Sequence, residues 1–210
     1  MAESSTPSQR SRQKGDKRER TRTKLLEAAR ALIREKGYEH TTLDDIAERA
    51  GMTTGAIYGN FKNRDDLFIA LGQTYWAPVK PRVKPGASFS DVMRAMAEAT
   101  IAAIPDRASA AVGRLTGLAY TLTHEELRAR VVSVTAESYA LGAAWLRVIA
   151  RRKDLPMPAG QLVRVIHALI EGLVLQRLLT PELFPDQVIR AAFRALVPRQ
   201  RGEPAGTRRR

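Results

Sequence analysis

Residues 54–62 carry the side chains best suited to chemistry with another molecule. If this segment is helical, its outward face consists of small or hydrogen-bonding residues: Thr54, Gly55, Tyr58, Gly59 and Lys62. Small residues let a helix backbone approach a surface closely, while hydroxyl groups and a lysine can donate hydrogen bonds. This combination fits the major groove of duplex DNA, where base edges and phosphate oxygens accept such bonds.

Helix-capping residues place this segment in a pair of short helices. Thr42, followed three residues later by Asp45, forms a capping box that opens one helix, and Gly51 suits the turn that ends it. Thr53 is the expected N-cap of the next helix. A longer helix, from about residue 16 to residue 36, precedes the pair and would brace it. The pattern therefore predicts a helix-turn-helix.

The net charge of +13 is distributed unevenly along the chain. Residues 1–24 hold eight basic and three acidic groups, and residues 199–210 hold five arginines and one glutamate. Neither end carries enough apolar residues to fold alone, so we expect disordered basic segments at 1–20 and 199–210. Such a basic arm favours a polyanion through counterion release, although improved solubility is an equally simple interpretation.

The expected helix-turn-helix itself is slightly acidic. Residues 25–66 hold six basic and eight acidic groups, so binding there must come from the placement of particular groups rather than from bulk charge. The helix N-termini at Thr42 and Thr53 can each offer backbone N–H groups to a phosphate, and Lys62 can reach another.

Several other functional classes are disfavoured. The chain has no cysteine and three histidines, and it lacks metal-ligand spacing, a phosphate-binding glycine loop and a nucleophile elbow, so we expect no enzyme, metal or cofactor. The N-terminus has no apolar signal region, and charged or polar residues interrupt the most apolar stretch at 165–179. We therefore expect a cytoplasmic protein without a membrane partner.

The segment TTLDDIAERAGMTTGAIYGNFKNRDDLF resembles the DNA-binding domain of the TetR (tetracycline-repressor) family, and the resemblance extends from about Thr21 to Leu71. It implies a homodimeric transcriptional regulator, usually a repressor, that a small lipophilic effector releases from a palindromic double-stranded DNA operator. The expected DNA-contacting residues are Arg22, Thr42, Thr53, Thr54, Gly55, Ala56, Tyr58, Gly59, Asn60 and Lys62.

The resemblance also assigns roles to these residues. Thr42 matches a phosphate clamp. Thr53, Thr54 and Ala56 match positions that face the groove at the start of the recognition helix. Tyr58 and Lys62 match contacts to phosphates or thymine methyl groups. Asn60 stands where the family usually has His or Tyr, and the neighbouring glycine removes a possible base-reading side chain. Packing of Tyr58 against the first helix is the alternative interpretation.

The remainder of the chain is predicted to form further helices, which gives an all-α protein of about nine helices. We expect a helix-turn-helix domain at 21–67 and a larger effector-binding and dimerisation domain at 68–198. Candidate effector-pocket residues are Met93, Met96, Thr100, Tyr120, Glu137, Tyr139 and Trp145. Candidate dimer-interface residues on the last two helices are Leu169, Gly172, Leu173, Gln176 and Phe193. Both sets have a simpler interpretation as ordinary core residues.

Two alternative functions remain at this point. One is an all-α protein that binds a small molecule without recognising an operator. The other is an architectural DNA-binding protein without sequence specificity, which the basic ends favour. A footprint on DNA separates these alternatives, because a regulator protects a palindrome whereas an architectural protein protects DNA diffusely.

Overall fold

The computed structural model describes residues 7–150 and 154–198, with the backbone alone described for residues 7–14. Within these residues the chain forms nine α-helices and no strand, which confirms the predicted fold class. The helices are α1 (Pro7–Lys36), α2 (Leu43–Arg49), α3 (Thr54–Tyr58), α4 (Arg64–Tyr75), α5 (Phe89–Ala108), α6 (Ala111–Thr123), α7 (Glu125–Ile149), α8 (Ala159–Leu179) and α9 (Asp186–Ala195). In this described part, no helix combines the length and apolar character needed to cross a bilayer.

The chain divides into two compact units. The first comprises Met1–Pro78 and Ser109–Val132, and the second comprises Val79–Ala108 and Ser133–Arg210. This division differs from the expected boundary at residues 67 and 68, because α4, α6 and the start of α7 belong to the first unit. Leu67 at that boundary is fully buried in the core of the first unit.

The first unit is built around apolar side chains of its first four helices. Leu25 of α1, Ile46 of α2, Ile57 of α3 and Leu67 of α4 are all fully buried. Burying each such side chain contributes about 1.5–3 kcal/mol, so the helix pair α2–α3 is fixed chiefly by this shared core. Because α3 has only five residues, it depends on these tertiary contacts for its stability.

Helix α1 begins earlier than the sequence predicts. The sequence predicts a disordered arm over residues 1–20 and a helix from about Asp16, whereas α1 is already helical at Pro7. The segment 16–24 is rich in lysine and arginine, which favour helix, so the helix continues past the core without an apolar face. Residues 1–6 and the expected basic segment at 199–210 lie outside the described residues.

The second unit combines α5, most of α7, α8 and α9. At Gly142 of α7 a Cβ atom would lie 3.2 Å from Val163 of α8, so the glycine permits a close approach of these two helices. The Arg190 guanidinium of α9 binds both carboxylate oxygens of Glu98 on α5, at 2.7 and 3.2 Å. This hydrogen-bonded pair lowers the pKa of Glu98 and joins two helices that are distant in sequence.

Candidate nucleic-acid interface

The turn between α2 and α3 depends on one left-handed glycine. Gly51 has φ +65°, a conformation that costs other L-residues about 1–2 kcal/mol. The backbone N–H of Met52 then donates to the carbonyl oxygen of Ala47 at 2.9 Å, which closes the turn. Ile57 and Phe61 are buried beneath it, so α3 has a fixed inner face and a defined outer face.

The N-terminus of α2 has the predicted capping box. The backbone N–H of Asp45 donates to Thr42 Oγ1 at 3.1 Å, and the backbone N–H of Thr42 donates to Asp45 Oδ2 at 2.9 Å. Lys36 Nζ also donates to Asp45 Oδ2 at 2.6 Å. These hydrogen bonds, that of Lys36 above all, hold the pKa of Asp45 well below its ordinary value of 3.8.

Other acidic groups of this region are paired with cations of the same unit. Arg49 binds both carboxylate oxygens of Glu35, at 2.9 and 2.6 Å, and thereby lowers the pKa of that carboxyl group. Arg130 of α7 donates to Asp66 Oδ1 at 3.0 Å and lies 3.9 Å from Asp65. These pairs offset much of the negative charge that the sequence placed close to the expected DNA surface.

The start of α3 presents one hydroxyl group outward and turns another toward α2. Thr53 has the extended backbone of an N-cap, but its hydroxyl makes no capping hydrogen bond, and its side chain is exposed. Thr54 Oγ1 donates to Asp44 Oδ1 at 2.8 Å and is half-buried. Gly55 is exposed and Ala56 is half-buried. The exposed surface here is therefore formed by Thr53 and the backbone at Gly55.

The end of α3 presents an aromatic and a basic side chain. Tyr58 is 61% exposed, so the alternative of packing on α1 does not describe this structure. Lys62 is also exposed, and its backbone N–H donates to Asp66 Oδ2 at 3.0 Å, which fixes the position of the residue ahead of α4. The exposed Gly59 lies between them in sequence and adds no side chain. These residues form a narrow hydrogen-bonding face next to Thr53.

Asn60 and Arg22 point toward the protein rather than outward. Asn60 Nδ2 donates to the carbonyl oxygen of Ala56 at 2.8 Å, and the residue is half-buried. Arg22 Nη1 donates to the carbonyl oxygen of Asn60 at 3.2 Å, and its guanidinium lies 4.4 Å from the centre of the Phe61 ring. In this arrangement Arg22 anchors α1 to the end of α3, which differs from the outward role that we expected.

Arg64, which sequence reasoning does not single out, connects several segments of the first unit. Its guanidinium donates to the carbonyl oxygen of Tyr38 at 2.6 Å, to that of Thr41 at 3.3 Å and to the hydroxyl of Tyr120 at 3.0 Å. The same group lies 4.6 Å from the centre of the Phe68 ring. Burial raises the pKa of Tyr38 far above its ordinary value. Arg64 thus joins α4, the loop before α2, and α6.

The structure does not bring all seven effector-pocket candidates together. Tyr120 belongs to the first unit, where it binds Arg64 and packs on Tyr38 with ring centres 4.6 Å apart. Glu137 is exposed, so it lies outside the interior of the second unit. The structure therefore does not group these two residues with the buried candidates of the second unit, because helical spacing does not reveal which neighbour a helix face meets, and the effector pocket stays a prediction.

The other candidates belong to the second unit. Met93 and Met96 of α5 are buried, and the buried Thr100 satisfies its hydroxyl by donating to the carbonyl oxygen of Met96 at 2.7 Å. Tyr139 of α7 is half-buried and packs edge-on against His167 with ring centres 5.4 Å apart. Trp145 is half-buried as well.

The dimer-interface candidates divide between two faces. Leu173 is 5% exposed and Phe193 is fully buried, so both belong to the core of the second unit, and their assignment to an interface is corrected. Gly172 and Gln176 are exposed on α8, and Leu169 is half-buried. A helix that is apolar on all sides must be covered both by the core of its own chain and on its outer face. The sequence alone does not distinguish the residues of these two faces.

Residues 25–71 match the family model described as bacterial regulatory proteins, tetR family. Over this N-terminal segment the chain is similar to the TetR family. The chain is 49% identical over 51 residues to the transcriptional regulator TtgR of Pseudomonas putida, covering 24% of each chain. It is 36% identical over 84 residues to the repressor AcnR of Corynebacterium glutamicum, covering 40% of this chain and 44% of AcnR.

A solved structure is similar to most of the length of this chain. NalD, the secondary repressor of the MexAB-OprM multidrug efflux pump in Pseudomonas aeruginosa, superposes with a TM-score of 0.56 at 28% identity. The match covers 88% of this chain and 98% of NalD. The chain spans about a quarter to under half of the length of the curated relatives named above. All three carry the names of transcriptional regulators or repressors.

Proposed function

We propose that the protein is a sequence-specific transcriptional regulator, a repressor, that binds a palindromic operator as a homodimer. The observation that carries this proposal is the outward face of α3. Tyr58 and Lys62 are exposed, and the N-cap residue Thr53 makes no capping hydrogen bond with its hydroxyl. The opposite side of the helix pair is buried in the core of the first unit. A rigid helix with small and hydrogen-bonding residues on one face suits the major groove.

The outer face of α8 supports the homodimer. Its residues recur at intervals of three and four: Val165, Ala168, Gly172, Leu175 and Leu179. Val165 and Leu179 are 39% and 63% exposed, and a Cβ atom at Gly172 would meet no other atom within 4 Å. Such a stripe packs well against a copy of itself across a twofold axis. The dimer then presents two recognition helices to two half-sites.

The effector proposal rests on the apolar side chains of the second unit, such as Met93 and Met96, and on the similarity to NalD, named as a repressor of a multidrug efflux pump. A small lipophilic molecule fits an interior of this kind. It releases the operator only if it binds more tightly to a conformation in which the two recognition helices no longer match the half-sites.

Selection of duplexes from a random pool by the full-length protein, followed by footprinting, tests the proposal. We expect enrichment of a palindrome with half-sites about one helical turn, or a multiple of it, apart. Lys62→Gln should weaken binding to all sequences similarly and lower the slope of log K against log salt by about 0.9. Lys80→Gln, an equal charge change at an exposed position of the second unit, is the control. Diffuse protection without enrichment would show an architectural protein instead.

Sedimentation equilibrium tests the dimer separately. Gly172→Glu places a charge on the outer face of α8 and should convert the dimer to a monomer, because two like charges would face each other across the axis. Ala102→Glu, at an exposed position of α5, should leave the dimer intact. Equal oligomeric states for the two variants would remove α8 from the interface.

A further inference from the structure

Two carboxylates follow the exposed Lys62 closely in the sequence. Asp65 and Asp66 lie in the first turn of α4. Negative charge suits the N-terminus of a helix, because it interacts favourably with the helix dipole. The same charge repels the phosphates of a duplex, so a lysine that contacts a phosphate at this place needs both carboxylates to be neutralised and held in position.

The two carboxylate oxygens of Asp66 have different partners. Oδ2 accepts a hydrogen bond from the backbone N–H of Lys62 at 3.0 Å, and Oδ1 accepts one from Nη2 of Arg130 at 3.0 Å. The carboxylate therefore bridges the backbone of Lys62 and a cation on α7. Because both oxygens belong to one planar group, an arginine that holds Oδ1 also fixes the direction in which Oδ2 faces Lys62.

Arg130 also contacts the cap of α4 and its other carboxylate. Its Nη1 donates to Asn63 Oδ1 at 3.0 Å and lies 3.9 Å from Asp65 Oδ2. Asn63 Oδ1 accepts the backbone N–H of Asp66 as well, at 2.9 Å, which caps the helix. One guanidinium thus contacts the cap and both carboxylates of the first turn, which its fixed fork of donors makes possible.

Helix α5 shows that capping alone does not require a partner from another helix. At its N-terminus Ser88 Oγ accepts the backbone N–H of Asp91 at 3.1 Å. The cation that binds Asp91 is Arg94, three residues later on the same helix. At α4 the cation comes instead from α7, 64 residues away in the sequence. The contact of Arg130 therefore fixes the start of α4 against a second helix, in addition to completing a cap.

We propose that Arg130 is a positioning residue for DNA binding. Through Asp66 it holds the backbone of Lys62 at the place from which the ammonium group contacts a phosphate, and it neutralises the carboxylates beside that phosphate. This inference rests on the proposed function, in which Lys62 is a phosphate contact. It makes the affinity for DNA depend on α7, a helix outside the helix-turn-helix.

Two simpler roles for Arg130 lead to different expectations. If Arg130 only stabilised the first unit, its removal would loosen other parts of that unit equally. If it contacted a phosphate directly, its contribution to binding would add to that of Lys62. Its side chain is 35% exposed, and its guanidinium is already directed at Asn63 and the two carboxylates, which favours positioning.

The first experiment measures hydrogen exchange of individual backbone amides by NMR in the full-length protein without DNA. Arg130→Gln should speed exchange of the Lys62 amide roughly fivefold, because its acceptor is no longer held. The amide of Met52, which donates to the carbonyl oxygen of Ala47 at 2.9 Å in the same unit, should keep its rate. Arg128→Gln, an equal charge change at an exposed position of α7, should alter neither rate.

The second experiment is a double-mutant cycle in binding to the selected operator across a range of salt concentrations. Lys62→Gln should lower the slope of log K against log salt by about 0.9 per subunit, and Arg130→Gln by up to the same amount. The double variant should lose no more than Lys62→Gln alone, because both changes remove one phosphate contact. Arg130→Gln should weaken binding roughly fivefold, whereas Arg128→Gln should bind like the wild type.

Three results would overturn the inference. The first is an unchanged exchange rate of the Lys62 amide in Arg130→Gln. The second is an equal acceleration of the Lys62 and Met52 amides, which would show general destabilisation of the first unit. The third is a loss of about 1.8 per subunit in the double variant, which would make Arg130 a phosphate contact itself. Failure of the proposed function would appear separately, as the absence of an enriched palindrome with the wild-type protein.

Discussion

Replacing Arg64 with methionine should destabilise the first unit strongly, because methionine keeps the apolar packing but removes every hydrogen bond of the guanidinium. Two of these bonds are short, at 2.6 Å to the carbonyl of Tyr38 and 3.0 Å to the hydroxyl of Tyr120. Hydrogen bonds to a charged group contribute about 1.5–3 kcal/mol each. Because Arg64 is only half-buried, we take the lower figure and expect a loss of about 3 kcal/mol.

The assay is urea denaturation followed by tryptophan fluorescence. Trp76 lies in the first unit and Trp145 in the second, so a Trp145→Phe background reports on the first unit alone. With a slope of about 2 kcal/mol per molar urea, the midpoint should fall by about 1.5 M. Arg34→Met, at an exposed position of α1, removes the same charge and should change the free energy of unfolding by less than about 0.5 kcal/mol.

A double-mutant cycle with Tyr120→Phe isolates the contact to α6. The hydroxyl alone should contribute about 1 kcal/mol, and the two substitutions should be non-additive by a similar amount, because the shared hydrogen bond can be lost only once. Two results would refute the view that Arg64 joins α4 to α6. One is strict additivity of the two substitutions, and the other is a loss of unfolding free energy in Arg64→Met no greater than that in Arg34→Met.

The remaining predictions concern the caps, the pH dependence and the core. Thr42→Ala should cost about 1 kcal/mol of stability because it removes a capping bond, whereas Thr53→Ala should leave thermal stability nearly unchanged and weaken operator binding, as paired melting and binding curves would show. The pKa of Asp45 is lower in the folded state than in the unfolded state. Its contribution to stability is therefore present above its ordinary pKa near 3.8 and is lost as pH falls below that value. The difference in unfolding free energy between wild type and Asp45→Asn should be largest near neutral pH and should shrink below pH 4. A constant difference across that range would contradict the assignment. Phe193→Ala should cost about 3–5 kcal/mol without altering the oligomeric state, and dissociation without loss of protomer stability would return Phe193 to an interface.

The elements with local signals could be read from the sequence. The capping box at Thr42 and the turn at Gly51 are patterns within three or four residues, and the structure contains both of them. The exposure of Tyr58 and Lys62 also follows from local spacing, because Ile57 and Phe61 fix the buried side of the same short segment. Here neighbouring residues constrain one another strongly enough to decide the structure.

The polar contacts between distant segments could not be read in this way. Arg22, Arg64 and Arg130 bind partners 38, 26 and 64 residues away, and an arginine in a sequence looks the same whether it faces solvent or a carbonyl oxygen. The start of α1 differs from the sequence prediction for a related reason. Without apolar periodicity the basic segment gave no helical pattern, although its residues have good helix propensity.

The sequence by itself determined the all-helical fold class, the capping box at Thr42 and the recognition motif, because those depend on interactions within a few residues. The tertiary structure decided which face of each helix is covered. On α8, Leu173 is in the core while Gly172 and Leu179 lie outside it, although all three are small or apolar. Burial depends on which other segments arrive at a surface, and that is a property of the whole folded chain rather than of any local stretch.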